Sequence, residues 1–139
     1  MPGRNERSAM KFQASLDRSF TLLPEQVEAF KVKVCFQILR GVVLKTPVDT
    51  GRARGGWQVE LNARGTSTGV SDKSGQAAIN AGSATILSSQ LSDAIYISNT
   101  IEYIVYLEEG RPGPGSNQAP QGMVAITLQE VSRQFGAAA

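Results

Sequence analysis

Residues 24–57 read PEQVEAFKVKVCFQILRGVVLKTPVDTGRARGGW, and the rhythm of the first two-thirds decides the fold. Val27, Phe30, Val34, Ile38 and Val42 recur at spacings of three and four. Glu28, Lys31, Lys33, Gln37 and Arg40 fall mostly elsewhere, which predicts an amphipathic helix from about Pro24 to Lys45. Pro24 suits a first helical turn, where its missing N–H has no intrahelical partner, and Glu25 complements the positive end of the helix dipole. Pro47 stops the helix by disfavouring the helical conformation at Thr46 and by being unable to continue the ladder itself. Val48-Asp49-Thr50-Gly51 then reads as a turn, with Asp49 accepting nearby backbone amides and Gly51 free to take positive φ. Beyond it Trp57, Val59 and Leu61 alternate with Gln58, Glu60 and Asn62, the pattern of a half-buried strand. Trp57 is expected to anchor that strand on the helix.

Upstream, residues 1–23 read as an N-terminal arm. Its Phe12, Leu16 and Phe20, four residues apart, fit docking on this protein's own core or on a neighbouring subunit. Downstream, residues 63–74 are rich in Gly, Ser and Thr and predict a flexible, exposed loop or a long hairpin tip. Ala77, Ala78, Ile79, Ala81, Ala84, Ile86 and Leu87 suggest a second helix between Gly75 and Leu91, although Gly82 and Thr85 oppose it. Residues 94–99 have the β-branched and aromatic content of a strand. Tyr103 to Glu109 predicts a short helix closed by Gly110 as its C-cap. An irregular loop over 111–120 precedes a last helix from about Pro120 to Phe135, and residues 136–139 read as a frayed tail. No internal repeat is visible. Helices and strands do not alternate strictly, so the expectation is one α+β domain over 24–135. In it the long N-terminal amphipathic helix and the C-terminal helix pack on a small antiparallel sheet.

Composition narrows the chemistry. With 139 residues, 41% apolar and 19% charged, the chain has the balance of a single soluble domain. It has no histidine, so the commonest general base, zinc ligand and pH switch are missing from the sequence. Its one cysteine, Cys35, sits among apolar neighbours and reads as a small buried hydrophobe. No apolar run approaches the length of a membrane span and no signal-peptide pattern follows the early arginines, so synthesis in the cytoplasm is expected. Charge is unevenly distributed. Residues 1–64 carry eleven Lys and Arg against six acids, whereas residues 65–139 carry three against six. Solvated faces, head-to-tail contacts between copies and a basic surface facing DNA all fit this split.

Three chemical motifs present themselves, and each has a structural reading. Asp49-Thr50-Gly51 matches the triplet of aspartic proteases, but it occurs once, follows Thr-Pro, and lies beside Arg52 and Arg54, which would lower a carboxyl pKa and not raise it. Asp93, Glu102, Glu108 and Glu109 lack the spacing of a calcium loop or two-metal centre and read as surface carboxylates. Gly51, Gly55 and Gly56 precede a strand, where phosphate-binding glycines precede a helix. The expectation is no enzyme: no catalytic, cofactor-binding or metal-binding residue.

Thr46 to Arg52 with Trp57, then Ile95 to Asn99, Tyr103, Leu107 to Gly110, Ser116, and Gln118 to Val124, resemble the tail-completion or head–tail joining proteins of long-tailed bacteriophages, of the minor tail protein Z type. The resemblance spans about residues 24–131. Two features depart from it: Arg111-Pro112-Gly113-Pro114-Gly115 is longer than the expected link, and Ala125 stands where several relatives have Arg. It implies a structural virion protein forming a ring, sixfold in expectation, at the head-proximal end of the tail. That ring would join the tail tube and terminator to the head-closure or connector proteins. Genomic DNA would pass through it without sequence-specific binding, no membrane would be involved, and assembly would occur in the host cytoplasm. A tail terminator capping the tube is the alternative, and a small nucleic-acid-binding module is the alternative from another class. Pro47, Asp49, Gly51 and Trp57 are the expected turn and packing anchors. Arg52, Arg54, Asn99, Tyr103, Glu108, Glu109, Ala119, Pro120 and Met123 are the candidate subunit or partner surface. Arg52 and Arg54 are expected to face Glu108 or Glu109, within a subunit or across the ring.

Overall fold

A computed structural model describes residues 23–48, 50–109 and 122–136. The expectations for the arm before Leu23, Asp49, the Gly110 cap, the 111–120 loop with Ala119 and Pro120, and the last three residues lie outside the described residues. The order is α1 (Pro24–Lys45), α2 (Arg52–Gly55), β1 (Trp57–Leu61), α3 (Gln76–Ser88), β2 (Ile95–Asn99), α4 (Ile104–Glu109) and α5 (Val124–Phe135). The chain is α+β with a two-stranded antiparallel sheet.

Helix α1 keeps the expected bounds, with Pro24 in its first turn and Lys45 in its last. Its start is held by Gln26, whose side-chain oxygen accepts the Leu23 N–H at 3.1 Å. Helices α3 and α5 flank α1, both antiparallel to it. At one end a Cβ on Gly75 would meet Val43, and at the other the Lys31 ammonium donates to the carbonyls of Gln90, Leu91 and Asp93. On the α5 side Gly41 packs against Thr127, and the rings of Phe30 and Phe135 meet edge to face at 5.6 Å.

The sheet lies on α1 and α3; α5, expected on the sheet, packs chiefly on α1 instead, through Leu128, Val131 and Phe135. Trp57, Val59, Leu61 and their partners Asn99, Ile97, Ile95 share the sheet's inner face, because directly opposed residues of an antiparallel pair point the same way. Gly82, which weighs against a helix by propensity alone, is explained here. A Cβ on it would lie 2.6 Å from Leu39 and 2.7 Å from Val59, so only glycine lets α3 approach this closely. Leu39, Val42, Val43, Trp57, Val59, Ala78, Ile86 and Met123 form the main core, and Val34, Leu128, Val131 and Phe135 form a second cluster between α1 and α5.

Residues 63–74 are not a hairpin tip, since β1 pairs with β2 more than thirty residues on and α3 intervenes. They turn back across the outer face of the sheet. The Gln58 amide clasps Ser67, accepting its N–H at 2.9 Å and donating to its carbonyl, which also receives the Thr100 hydroxyl at 2.7 Å. Gln58, pointing outward from β1, and Thr100, just past β2, satisfy the segment's backbone at Ser67. Helix α5 begins at Val124, four residues later than expected, after Gly122 at φ +90°.

Candidate functional site

The described residues of the two motif blocks meet at the Trp57–Asn99 end of the sheet. Thr46, directly after α1, is fully buried: its hydroxyl donates to the Val42 carbonyl at 2.6 Å and accepts the Trp57 indole N–H at 2.7 Å. The indole therefore has the polar partner a buried Trp needs, and the same contact fixes β1 against the end of the helix. Pro47, half-buried, directs the chain away.

Arg54 completes this corner. Its Nε and Nη2 donate to the Thr46 carbonyl at 3.2 and 3.0 Å, Nη2 also donates to Leu44 at 3.0 Å, and Nη1 donates to Lys73 at 2.9 Å. The last carbonyls of a helix lack intrahelical partners and carry partial negative charge, which a guanidinium complements. Arg54 thus seals α1 instead of facing Glu108 or Glu109 within the subunit. Gly51, at φ +85°, has no room for a side chain, since a Cβ would approach the Lys73 nitrogen to 2.5 Å. Its carbonyl accepts the N–H of Gly55 at 2.8 Å and of Asp72 at 3.0 Å, tying turn, α2 and the approach to α3 together. Asp72 in turn accepts Ser74 and Ala77 amides, and the Ser74 hydroxyl foremost among these bonds holds its carboxyl below the usual range.

From the second block, Asn99 donates through Nδ2 to the Ala53 carbonyl at 2.8 Å and accepts the Ile101 N–H at 3.0 Å. Arg52 is exposed and pairs bidentately with Glu102, at 2.8 and 3.0 Å, with its guanidinium 5.9 Å from the Tyr103 ring centre. That hydrogen-bonded pairing lowers the Glu102 carboxyl pKa. The expected partners Glu108 and Glu109 are not the ones Arg52 uses in the subunit. Glu108 is only 5% exposed: Oε1 accepts the N–H groups of Met123 and Val124 at 2.8 and 2.7 Å, and Oε2 that of Ala125 at 3.1 Å. It caps α5 from a different helix, and Met123 beside it is fully buried. Glu109 remains exposed. With Trp57, Asn99, Ile104, Val105, Glu108, Met123 and Val124 it lines a cavity of about 140 Å³.

Sequence reasoning missed Thr46, Gln58 and Glu102 as working residues and treated Glu108 as surface. Thr46 next to Pro47 carried a signal, because a hydroxyl at a helix end competes for backbone carbonyls. The other three carried none, since their partners are distant in sequence. Among the described residues no three His, Cys, Asp or Glu side chains group together, and no helix is long and apolar enough to cross a membrane. No family model matches this chain, and comparison with curated proteins and with solved structures found no match.

Proposed function

We propose that this chain is a structural subunit of a bacteriophage neck or tail, forming a ring at the head-proximal end of the tail between the tube or terminator and the head-closure proteins. One observation carries the reading: the described residues of both blocks of the family resemblance converge on one corner, and most of their polar side chains, Arg52 and Glu109 excepted, are spent on holding it. Trp57 binds Thr46, Arg54 binds the end of α1, Asn99 binds Ala53, and Glu108 binds the start of α5. Such spending suits a scaffold, whereas catalysis needs groups converging on an open cleft within reach of one another. A ring also needs heterologous contacts that close, and the basic first half against the acidic second half fits head-to-tail contact.

Mass measurement of the protein in solution, with imaging of phage particles carrying a labelled copy, tests the reading. Label at the head-proximal end of the tail supports it. Particles that lack the protein, or a label at the distal tail tip, would overturn it.

A further inference from the structure

We infer that the two-stranded sheet is completed by a second copy of this chain, the open edge of β1 pairing antiparallel with the open edge of β2 of the next subunit. This pairing rests on the ring proposed above. No backbone group of 57–61 or 95–99 bonds to anything outside the β1–β2 pair among the described residues, so two strands of five residues each leave both outer edges unpaired. An unpaired edge is a template for another strand.

The space beside β1 fits this occupant. A groove of about 440 Å³ is lined by the first four residues of β1, by Ala77, Ala81 and Thr85 of α3, and by Ser67, Gly69 and Val70 of the loop before α3, with no residue of β2 in its lining. The small side chains on α3 leave room for apolar groups arriving with a strand. Such groups stand at the other edge: Ile95 and Ile97 of β2, on the inner face, are only half-buried in their own subunit.

Charge and direction agree. The internal register sets Leu61 opposite Ile95, so an incoming β2 with the same antiparallel sense brings Asp93, just before its start, toward the exposed Arg64 beyond the end of β1, while Arg52 and Glu102 at the other end already pair within each subunit. Because the two edges are different surfaces on opposite sides of one sheet, the contact is heterologous and can propagate round a closed ring.

The test uses the full chain, with native mass and sedimentation over a range of concentrations and hydrogen exchange of the dilute and assembled states. The wild type should form a ring in which amides of 57–61 and 95–99 gain protection. Ala77→Glu with Ala81→Glu, both exposed positions, should weaken assembly by at least about a hundredfold by desolvating unpaired carboxylates in the groove. Its helical signal and melting temperature should match those of Ala84→Glu, which lies on α3 outside the groove and should assemble normally. A ring whose strand amides exchange as fast as in the dilute protein, or a double variant assembling like wild type, overturns the edge pairing and leaves the ring standing. A wild type that stays monomeric at every concentration overturns the pairing together with the ring.

Discussion

The Glu108 carboxylate accepts the Val124 backbone N–H at 2.7 Å, and through it α4 fixes where α5 begins. Three amides at the start of α5 depend on this one side chain, in a setting where water has little access. Glu108→Ala leaves them unpaired and should cost about 3 kcal/mol, from roughly 1–3 kcal/mol for each unsatisfied buried group with partial relaxation. Urea unfolding measures it, and a loss under about 1 kcal/mol would show that α5 does not rely on this cap.

Thr46 links helix and strand through its hydroxyl. Thr46→Val preserves the shape but strands the Trp57 N–H, with an expected cost of about 1–3 kcal/mol. Trp57→Phe removes that donor together with part of the packed ring. A double-mutant cycle should return coupling of about 1 kcal/mol between the two sites, and additive losses would mean the hydrogen bond contributes nothing.

Arg54→Lys keeps the charge but replaces the fork that reaches three carbonyls with a single ammonium. We expect about 1–2 kcal/mol of destabilisation, seen as a lower melting temperature, since Lys cannot reproduce planar multidentate contacts. Arg52→Lys is the contrast. That side chain pairs with Glu102 in solvent, and its replacement should leave the melting temperature unchanged within error.

Thr127 is 1% exposed, and its hydroxyl has no hydrogen-bond partner among the described residues. Replacing the hydroxyl by a methyl group removes a desolvated polar atom at the Gly41 contact. Thr127→Val should therefore raise stability by about 1 kcal/mol in denaturant titration, and a loss of that size would mean the hydroxyl is satisfied in solution.

Burial pushes the Cys35 thiol up to about 11, so the folded protein disfavours the thiolate. The folded state holds its proton through a pH range where the unfolded chain releases it. This contribution is full below the ordinary thiol value near 9 and disappears as pH rises toward 11. At pH 8 a thiol reagent should label Cys35, half-buried on α1, more slowly in the native protein than in denaturant; equal rates would show that its position gives no protection. Asp72 and Glu102 act in the opposite direction. Their lowered carboxyl pKa values, from the hydrogen bonds of Ser74 and Arg52 respectively, give stability present above the usual carboxylate range and lost as pH falls through it.

Local patterns were legible wherever the signal lay in neighbouring residues. The spacing of Val27, Phe30, Val34, Ile38 and Val42, with prolines at either end, carries α1 whole, and the alternation after Trp57 carries β1. Gly51 needed only its turn context. Gly82 was illegible because its role is to let Leu39 and Val59 approach, and neither is near it in the chain. Residues 63–74 look solvent-facing by composition and are almost all exposed, but composition gave no sign that Gln58 and Thr100 hold the backbone at Ser67 against the sheet.

The candidate surface divides the same way. By itself the sequence outlined most of the elements and placed the two motif blocks, since periodicity, prolines and turn glycines act within a few residues, but it gave no sign of the short helix α2 after Gly51. Only the tertiary structure decided which charges meet. It turned Arg54 onto the end of α1, gave Arg52 to Glu102, and buried Glu108 under the start of α5. Hydrogen bonds and ion pairs act over about 3 Å in space, and which side chains come that close depends on how α1, the sheet and α5 pack.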